Sequence, residues 1–454
     1  MFRRRTETMN LLITDGTVLT MHNGKIIKEG AVAVEGQKIA AVGRTQELRS
    51  RYGRGYERIP AKGKLVIPGL INTHQHAAMS LLRGYADDLP LKEWLEKWIW
   101  PLEKHMIPHD IYVGALLTAT ESIMSGVTTV NTMYHYTPSW NEAKAFAESG
   151  LRGVVGHVCF SWRKKEDEKM LHALFNEWHG AAEGRMRTSV DPHSPYTVDP
   201  EYMQTLRGIT NELSQKHGSN APVIWHMHVA ETVDETKKIR EAFGVTVKGG
   251  VAEYLESLGV LDEQTVAAHC VALSRRDIEI MGRRKVKVSH NPISNLKLAS
   301  GVCPAVALLE KGITVSLGTD SPCSNNTADM FDVMKTTALL HKGVSGIPTQ
   351  MPAQQVLEMA TIDGAEALSW DSEIGSIAAG KKADLAIIDL RKPHLCPLHS
   401  AVSHLVYAAK PADVETVIID GRIVMDNRQL KTVDPEEVMA MAEKAKEALL
   451  KRLL

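Results

Sequence analysis

Eight short apolar segments alternate with longer helix-like stretches from Lys64 onward, and short-strand texture occupies both ends of the chain. Together these predict an α/β fold: a distorted (β/α)8 TIM barrel with a small discontinuous β-sandwich domain built from both chain ends. Length agrees. The 454 residues are about three times the ~150 of a typical domain, and eight βα repeats over roughly 250–300 residues suit such a barrel.

Residues 1–8 have a basic start without an apolar run behind it, and are expected to be a disordered extension rather than a secretory signal. Residues 9–63 form the first part of the sandwich. Strands are expected at 11–14 and 17–20 across Asp15-Gly16, then at 31–34 and 38–42 across Glu35-Gly36-Gln37. The barrel takes residues 64–372, with strands expected at 65–71, 127–132, 153–159, 186–190, 222–228, 265–269, 286–290 and 313–317. Helices fill the intervals, among them 111–125 and 141–149. Residues 373–434 return to short strands and complete the sandwich, and residues 435–454 form a charged, amphipathic terminal helix.

Composition narrows the function. Lys+Arg 53 against Asp+Glu 54 gives a net charge of -1, so no basic excess points to nucleic acid or a membrane surface. No apolar run approaches the ~18 residues a membrane helix requires. The five cysteines are scattered and odd in number, with no CxxC pair. That argues against a disulfide framework or a thiolate zinc site and for a reducing cytoplasm.

The 19 histidines carry the main chemical signal. His74 and His76 form a His-x-His pair at the end of the first barrel strand, where i and i+2 share a face and can reach one ion. His193 follows the fourth strand, His226 and His228 end the fifth, His269 the sixth and His290 the seventh, and Asp320 follows the eighth. A lone histidine is usually a satisfied polar residue. Seven of them, with an aspartate, at the strand ends where barrel active sites are built outweigh that reading.

These residues lie in recognisable motifs. Ile67-Pro68-Gly69-Leu70-Ile71-Asn72-Thr73-His74-Gln75-His76, His228-Val229-Ala230-Glu231-Thr232, Ala267-Ala268-His269-Cys270, Ser289-His290-Asn291-Pro292 and Leu317-Gly318-Thr319-Asp320 resemble the amidohydrolase superfamily. Asp191-Pro192-His193-Ser194-Pro195-Tyr196-Thr197 and residues 294–301 are similar to its methylthioadenosine/S-adenosylhomocysteine deaminase subgroup. The pattern is nearest to archaeal 5'-deoxyadenosine deaminases.

The resemblance implies one divalent metal ion, zinc first and iron second, held by His74, His76, His228 and Asp320. The strand-four end reads Val190-Asp191-Pro192-His193, without the lysine that bridges two metals in binuclear relatives. The resemblance also makes Glu231 the proton shuttle, with His269 and Asp320 handling the attacking water. A helix-terminal charge is the plain alternative for Glu231. Trp94, Glu103, His193, Glu231 and Ser324 become substrate contacts, with core packing the rival reading for Trp94. His226 is expected behind the ligands.

The implied reaction is hydrolytic deamination of adenosine-type nucleosides by a homo-oligomeric salvage enzyme that binds no nucleic acid or membrane. A triazine or guanine aminohydrolase is the alternative, and an inactive binding protein on the same scaffold a remoter one. One departure stands out. His157 occupies the position where S-adenosylhomocysteine-using enzymes place a carboxylate-binding arginine, and the second arginine falls near Glu166-Asp167-Glu168.

Overall fold

The computed structural model describes residues 10–217 and 221–454; the extension expected at residues 1–8 lies outside the described residues. Eight parallel strands follow one another around a barrel: Leu70–Gln75, Val127–Tyr134, Arg152–Cys159, Met186–Pro192, Ile224–Val229, Thr265–His269, Lys287–His290 and Val315–Leu317. Nearly every strand residue is buried, as helices cover the outside of a parallel sheet. Side chains close the seam between the first and eighth strands. Thr73 Oγ1 donates to Leu317 O (2.9 Å) and lies 2.8 Å from the Ser316 and Ser289 hydroxyls, while Asp320 N donates to His74 O (3.0 Å).

The first expected barrel strand, 65–71, is two strands. Lys64–Pro68 pairs with Leu11–Leu19 and Leu385–Asp389 in the other sheet, and Leu70–Gln75 opens the barrel. Gly69 is the joint: a Cβ there would collide with the Thr128 side chain, and its N–H donates to Asp384 O (2.9 Å). Both halves are buried, so their apolar pattern runs on without a break.

The second sheet has nine strands drawn from both chain ends. Residues 11–20, expected as two strands, form one strand, Leu11–Leu19, with a bulge at Asp15 (φ 64°) and Gly16. The sheet curls over Leu11, Ile13, Val32, Leu385, Ile387 and Ile418. Its far strand, Lys38–Arg44, returns to the C-terminal half, with Ile39 N donating to Lys381 O (2.8 Å) and Ala383 N to Gln37 O (2.9 Å). The terminal helix Pro435–Leu453, capped by Asp434, packs on Pro108–Met124. No helix of the described residues is long and apolar enough to cross a membrane.

A buried ion cluster fastens barrel to sheet. Arg152, at the start of the third strand, reaches Asp384 through Nε (2.6 Å) and Nη2 (3.0 Å), and Asp420 through Nη2 (3.2 Å). Arg152→Met leaves both carboxylates buried without the guanidinium that bridges them, while Lys382 stays at Asp420 (3.1 Å). The expected loss is about 3–5 kcal/mol of unfolding free energy, read by urea denaturation; an unchanged midpoint would contradict this role.

Candidate active site

At the carboxyl ends of the strands, imidazoles converge in fixed orientations. His76 Nδ1 lies 2.8 Å from Met133 O and His228 Nδ1 lies 2.6 Å from His193 O. A carbonyl only accepts, so each Nδ1 carries the proton, and in the neutral ring Nε2 is a bare lone pair. Against burial, Asp320 and the Met133 carbonyl raise the pKa of His76, so a cation at its Nε2 is what keeps that ring neutral. Those two Nε2 atoms are 3.2 Å apart and cannot hydrogen-bond to each other. Two nitrogens on one tetrahedral zinc at ~2.0–2.1 Å would be about 3.3 Å apart, so this spacing is that of shared ligands.

His74 Nε2 is buried with no hydrogen-bond partner among the described residues. Asp320 Oδ1 sits 3.4 Å from it and 3.3 Å from His76 Nε2. The donor set of three imidazoles and a carboxylate therefore fits a divalent metal, and the orphaned His74 nitrogen is best explained by one. Burial alone would raise the Asp320 carboxyl pKa, but the His74 and His76 imidazoles hold it well below the usual range, so it is anionic. Burial keeps His74 and His228 well below the ordinary histidine value, and therefore neutral. Ser294 (2.5 Å) and Ser324 (2.9 Å) donate to Asp320 Oδ2, leaving Oδ1 toward the histidines.

His269 joins this centre: one ring nitrogen each from His74, His228 and His269 lies within 4.8 Å of the others. Its Nδ1 is fixed by Asn295 Oδ1 at 2.8 Å. Left-handed backbone at Ala230 (φ 51°), His269 (φ 72°) and Asp320 (φ 63°) concentrates strain where these side chains turn inward.

One cavity collects most of the remaining expected residues: Trp94, Glu103, His193 and Glu231 line it together with His76, His228, His269 and Asp320. Burial raises the pKa of Glu231. It raises that of Glu103 too, against the opposing pull of the Tyr134 hydroxyl and His76. Glu103 Oε1 accepts from Tyr134 OH (2.7 Å). Burial, reinforced by His76 and His269, pushes His193 down to about 3. Its ring stacks on Phe160 at 4.8 Å. Trp94 donates its indole N–H to Ala86 O (2.9 Å), so it offers the cavity a ring rather than a donor.

Ser324, His226 and His290 are not among the cavity-lining residues. The Ser324 hydroxyl is engaged by Asp320, and Ser321 faces the cavity instead. His226 lies beneath the ligands, with Nε2 2.8 Å from His74 Nδ1. His290 is buried away from the cavity against His341, at 3.2 Å.

Sequence reasoning missed Glu235, Asn295, Ser294 and Tyr134. Ser294 and Asn295 fall within the motif at 294–301 without a role attached, and Glu235 lies four residues after Glu231 at the start of helix Glu235–Phe243. Its carboxylate accepts from Ala230 N (3.0 Å) and Glu231 N (2.9 Å) and so fixes the turn that carries Glu231.

Residues 65–424 match the profile of the Amidohydrolase family. The chain belongs to that family. A short stretch, residues 30–53, also matches an imidazolonepropionase-like composite domain. Among full-length relatives, a 5'-deoxyadenosine deaminase of Methanosarcina acetivorans is 44% identical over 98% of this chain and 99% of its own. A 5-methylthioadenosine/S-adenosylhomocysteine deaminase of Pelotomaculum thermopropionicum is 42% identical over the same shares. An adenosine deaminase structure from Xanthomonas campestris with bound zinc superposes with a TM-score of 0.90 at 33% identity, covering 98% of this chain and 100% of that one. This amidohydrolase is therefore a metal-dependent deaminase, built on the same barrel as its neighbours.

Glu235→Ala should release the Glu231 turn without touching the cavity. A fall in kcat of about 100-fold with little change in KM is expected in steady-state kinetics, and an unchanged kcat would remove Glu235 from this role.

Proposed function

We propose that this enzyme hydrolyses adenosine-type nucleosides to the inosine analogue and ammonia, taking 5'-deoxyadenosine, methylthioadenosine and adenosine in preference to S-adenosylhomocysteine. The observation that carries this reading is that Glu231 and Glu103 open onto one cavity with His228, His269 and Asp320. One carboxyl group thus serves the ring and the other the sugar.

His74, His76, His228 and Asp320 would hold the metal, zinc by donor type with iron second, which when bound supplies Lewis acidity that lets water ionise near neutral pH. The chain's own groups do the rest. Glu231, whose pKa burial raises, donates to the purine ring nitrogen and makes the adjacent carbon electrophilic. Water adds at that carbon, and His269, oriented by Asn295, accepts its proton at the free ring nitrogen. His269 passes that proton to the exocyclic nitrogen, which leaves as ammonia, and the adduct's hydroxyl proton returns to the Glu231 carboxylate as the carbonyl forms. Glu103, with Oε1 tied to Tyr134, keeps Oε2 for the ribose hydroxyls. A sugar-directed carboxylate favours a riboside over a bare triazine or guanine ring.

The 5'-end supports neutral substituents. His157 accepts from Tyr136 N at Nδ1 (2.9 Å) and faces Asp167 with Nε2 (3.1 Å), so both ring nitrogens are engaged. Arg163 is committed to Glu166 (2.9 Å) and Asp167 (3.4 Å), with Nη1 on the Nδ1 of cavity-lining His135 (3.1 Å). Two carboxylates on one guanidinium leave little for an amino-acid tail. Five free cysteines, four of them buried, support a cytoplasmic setting. There we place a homo-oligomer that recycles adenosine-containing by-products.

Ammonia release tests the roles. Glu231→Gln should keep its metal and lose about 10²–10⁴-fold in kcat; near-normal turnover would exclude it as the proton donor. Glu103→Ala should raise KM for ribosides about 10–100-fold, the loss of one charge-assisted hydrogen bond, whereas an unchanged KM places the sugar elsewhere. For the parent enzyme, kcat/KM for S-adenosylhomocysteine should fall at least about tenfold below that for 5'-deoxyadenosine. Equal values would show that Arg163 is free to bind the tail.

A further inference from the structure

Beneath the metal ligands lies a polar chain that the reaction leaves unexplained. Asp191, at the end of the fourth barrel strand, is fully buried, and neither carboxylate oxygen has a hydrogen-bond partner among the described residues. His226 Nδ1 is likewise buried and unpartnered. The two orphans face each other: Asp191 Oδ2 is 3.7 Å from His226 Nδ1. The third strand makes room for this carboxylate, since a Cβ on Gly156 would fall inside it. An unpaired buried carboxylate is expensive, so its retention here calls for a purpose.

We propose that Asp191 and His226 are positioning residues that fix the tautomer and orientation of His74 toward the metal. The proposal rests on the metal site of the preceding section. For His74 to ligate through Nε2, its Nδ1 must carry the proton and donate to His226 Nε2, 2.8 Å away. His226 must then be protonated at Nδ1, and that N–H points at Asp191. With the opposite tautomers, His226 donates to His74 Nδ1, His74 Nε2 keeps its proton and cannot bind a metal, and the Asp191 carboxylate faces a lone pair. The carboxylate thus selects the ligating arrangement through two imidazoles in series, and the negative charge makes the His74 nitrogen a stronger donor. His76 and His228 obtain the same fixing directly from backbone carbonyls. Only His74, deepest in the barrel, needs a side-chain relay.

The test compares parent and Asp191→Asn protein for zinc affinity by chelator competition, alongside the unfolding midpoint of each metal-free protein. Zinc binding should weaken about 10–100-fold. The metal-free midpoint should hold, because asparagine keeps an oxygen facing His226 and neither carboxylate oxygen has a hydrogen bond to lose; a purely structural aspartate would lower it. Affinity within twofold of the parent, with the parent binding one zinc, overturns the relay and leaves the metal site intact. A parent that binds no zinc overturns the metal site itself. Should Asp191→Asn fail to fold, nitrogen NMR of histidine-labelled, zinc-loaded parent decides. His226 protonated at Nδ1, with its proton shifted downfield by a carboxylate, supports the relay. A bare His226 Nδ1 overturns it.

Discussion

The site depends on where the imidazole protons are. Carbonyl oxygens of Met133 and His193 hold the Nδ1 protons of His76 and His228, and that alone turns two lone pairs toward each other at 3.2 Å. In a dry interior such a pair is repulsive, and the buried His74 nitrogen beside it has no partner. A cation relieves all three groups at once. Much of the surrounding architecture holds those donors in place, including the Ser294 and Ser324 hydroxyls on Asp320 and the seam that ties Asp320 N to His74 O.

The barrel supplies this geometry because its strands end in one ring. Side chains two apart on a strand reach different depths here: His228 lines the cavity, while His226 sits below it against His74. The turns beyond the strands carry the proton-handling groups, and they are stiffened by buried polar side chains such as Glu235 and Asn295. The second sheet stands apart from the chemistry. It is joined to the barrel through the Gly69 switch and the Arg152 ion cluster, both remote from the cavity lining.

Much of this was legible in the sequence because spacing and strand ends determine it. The βα alternation gave the barrel, and the texture of both ends gave the discontinuous second sheet. His74, His76, His228, His269 and Asp320 stood among the strand-end residues, the family resemblance picked them out, and the structure brings them together. What failed to show depends on contacts between distant segments. The strand at 65–71 divides because Gly69 packs against Thr128, a neighbour no local pattern records. Ser324 follows Asp320 so closely that it reads as a cavity residue, yet its hydroxyl turns back onto the carboxylate. Glu235, Tyr134 and Asn295 are ordinary polar residues in sequence, and only the fold sets each beside the group it orients.

The central claim is one metal, one water-activating centre and an adenosine-type substrate in a single cavity. Titrating zinc into metal-free protein while following ammonia release from 5'-deoxyadenosine tests it most directly. No turnover without metal, a linear rise, and saturation at one equivalent per chain are expected. Full activity in the metal-free protein, or a break at two equivalents, would contradict it.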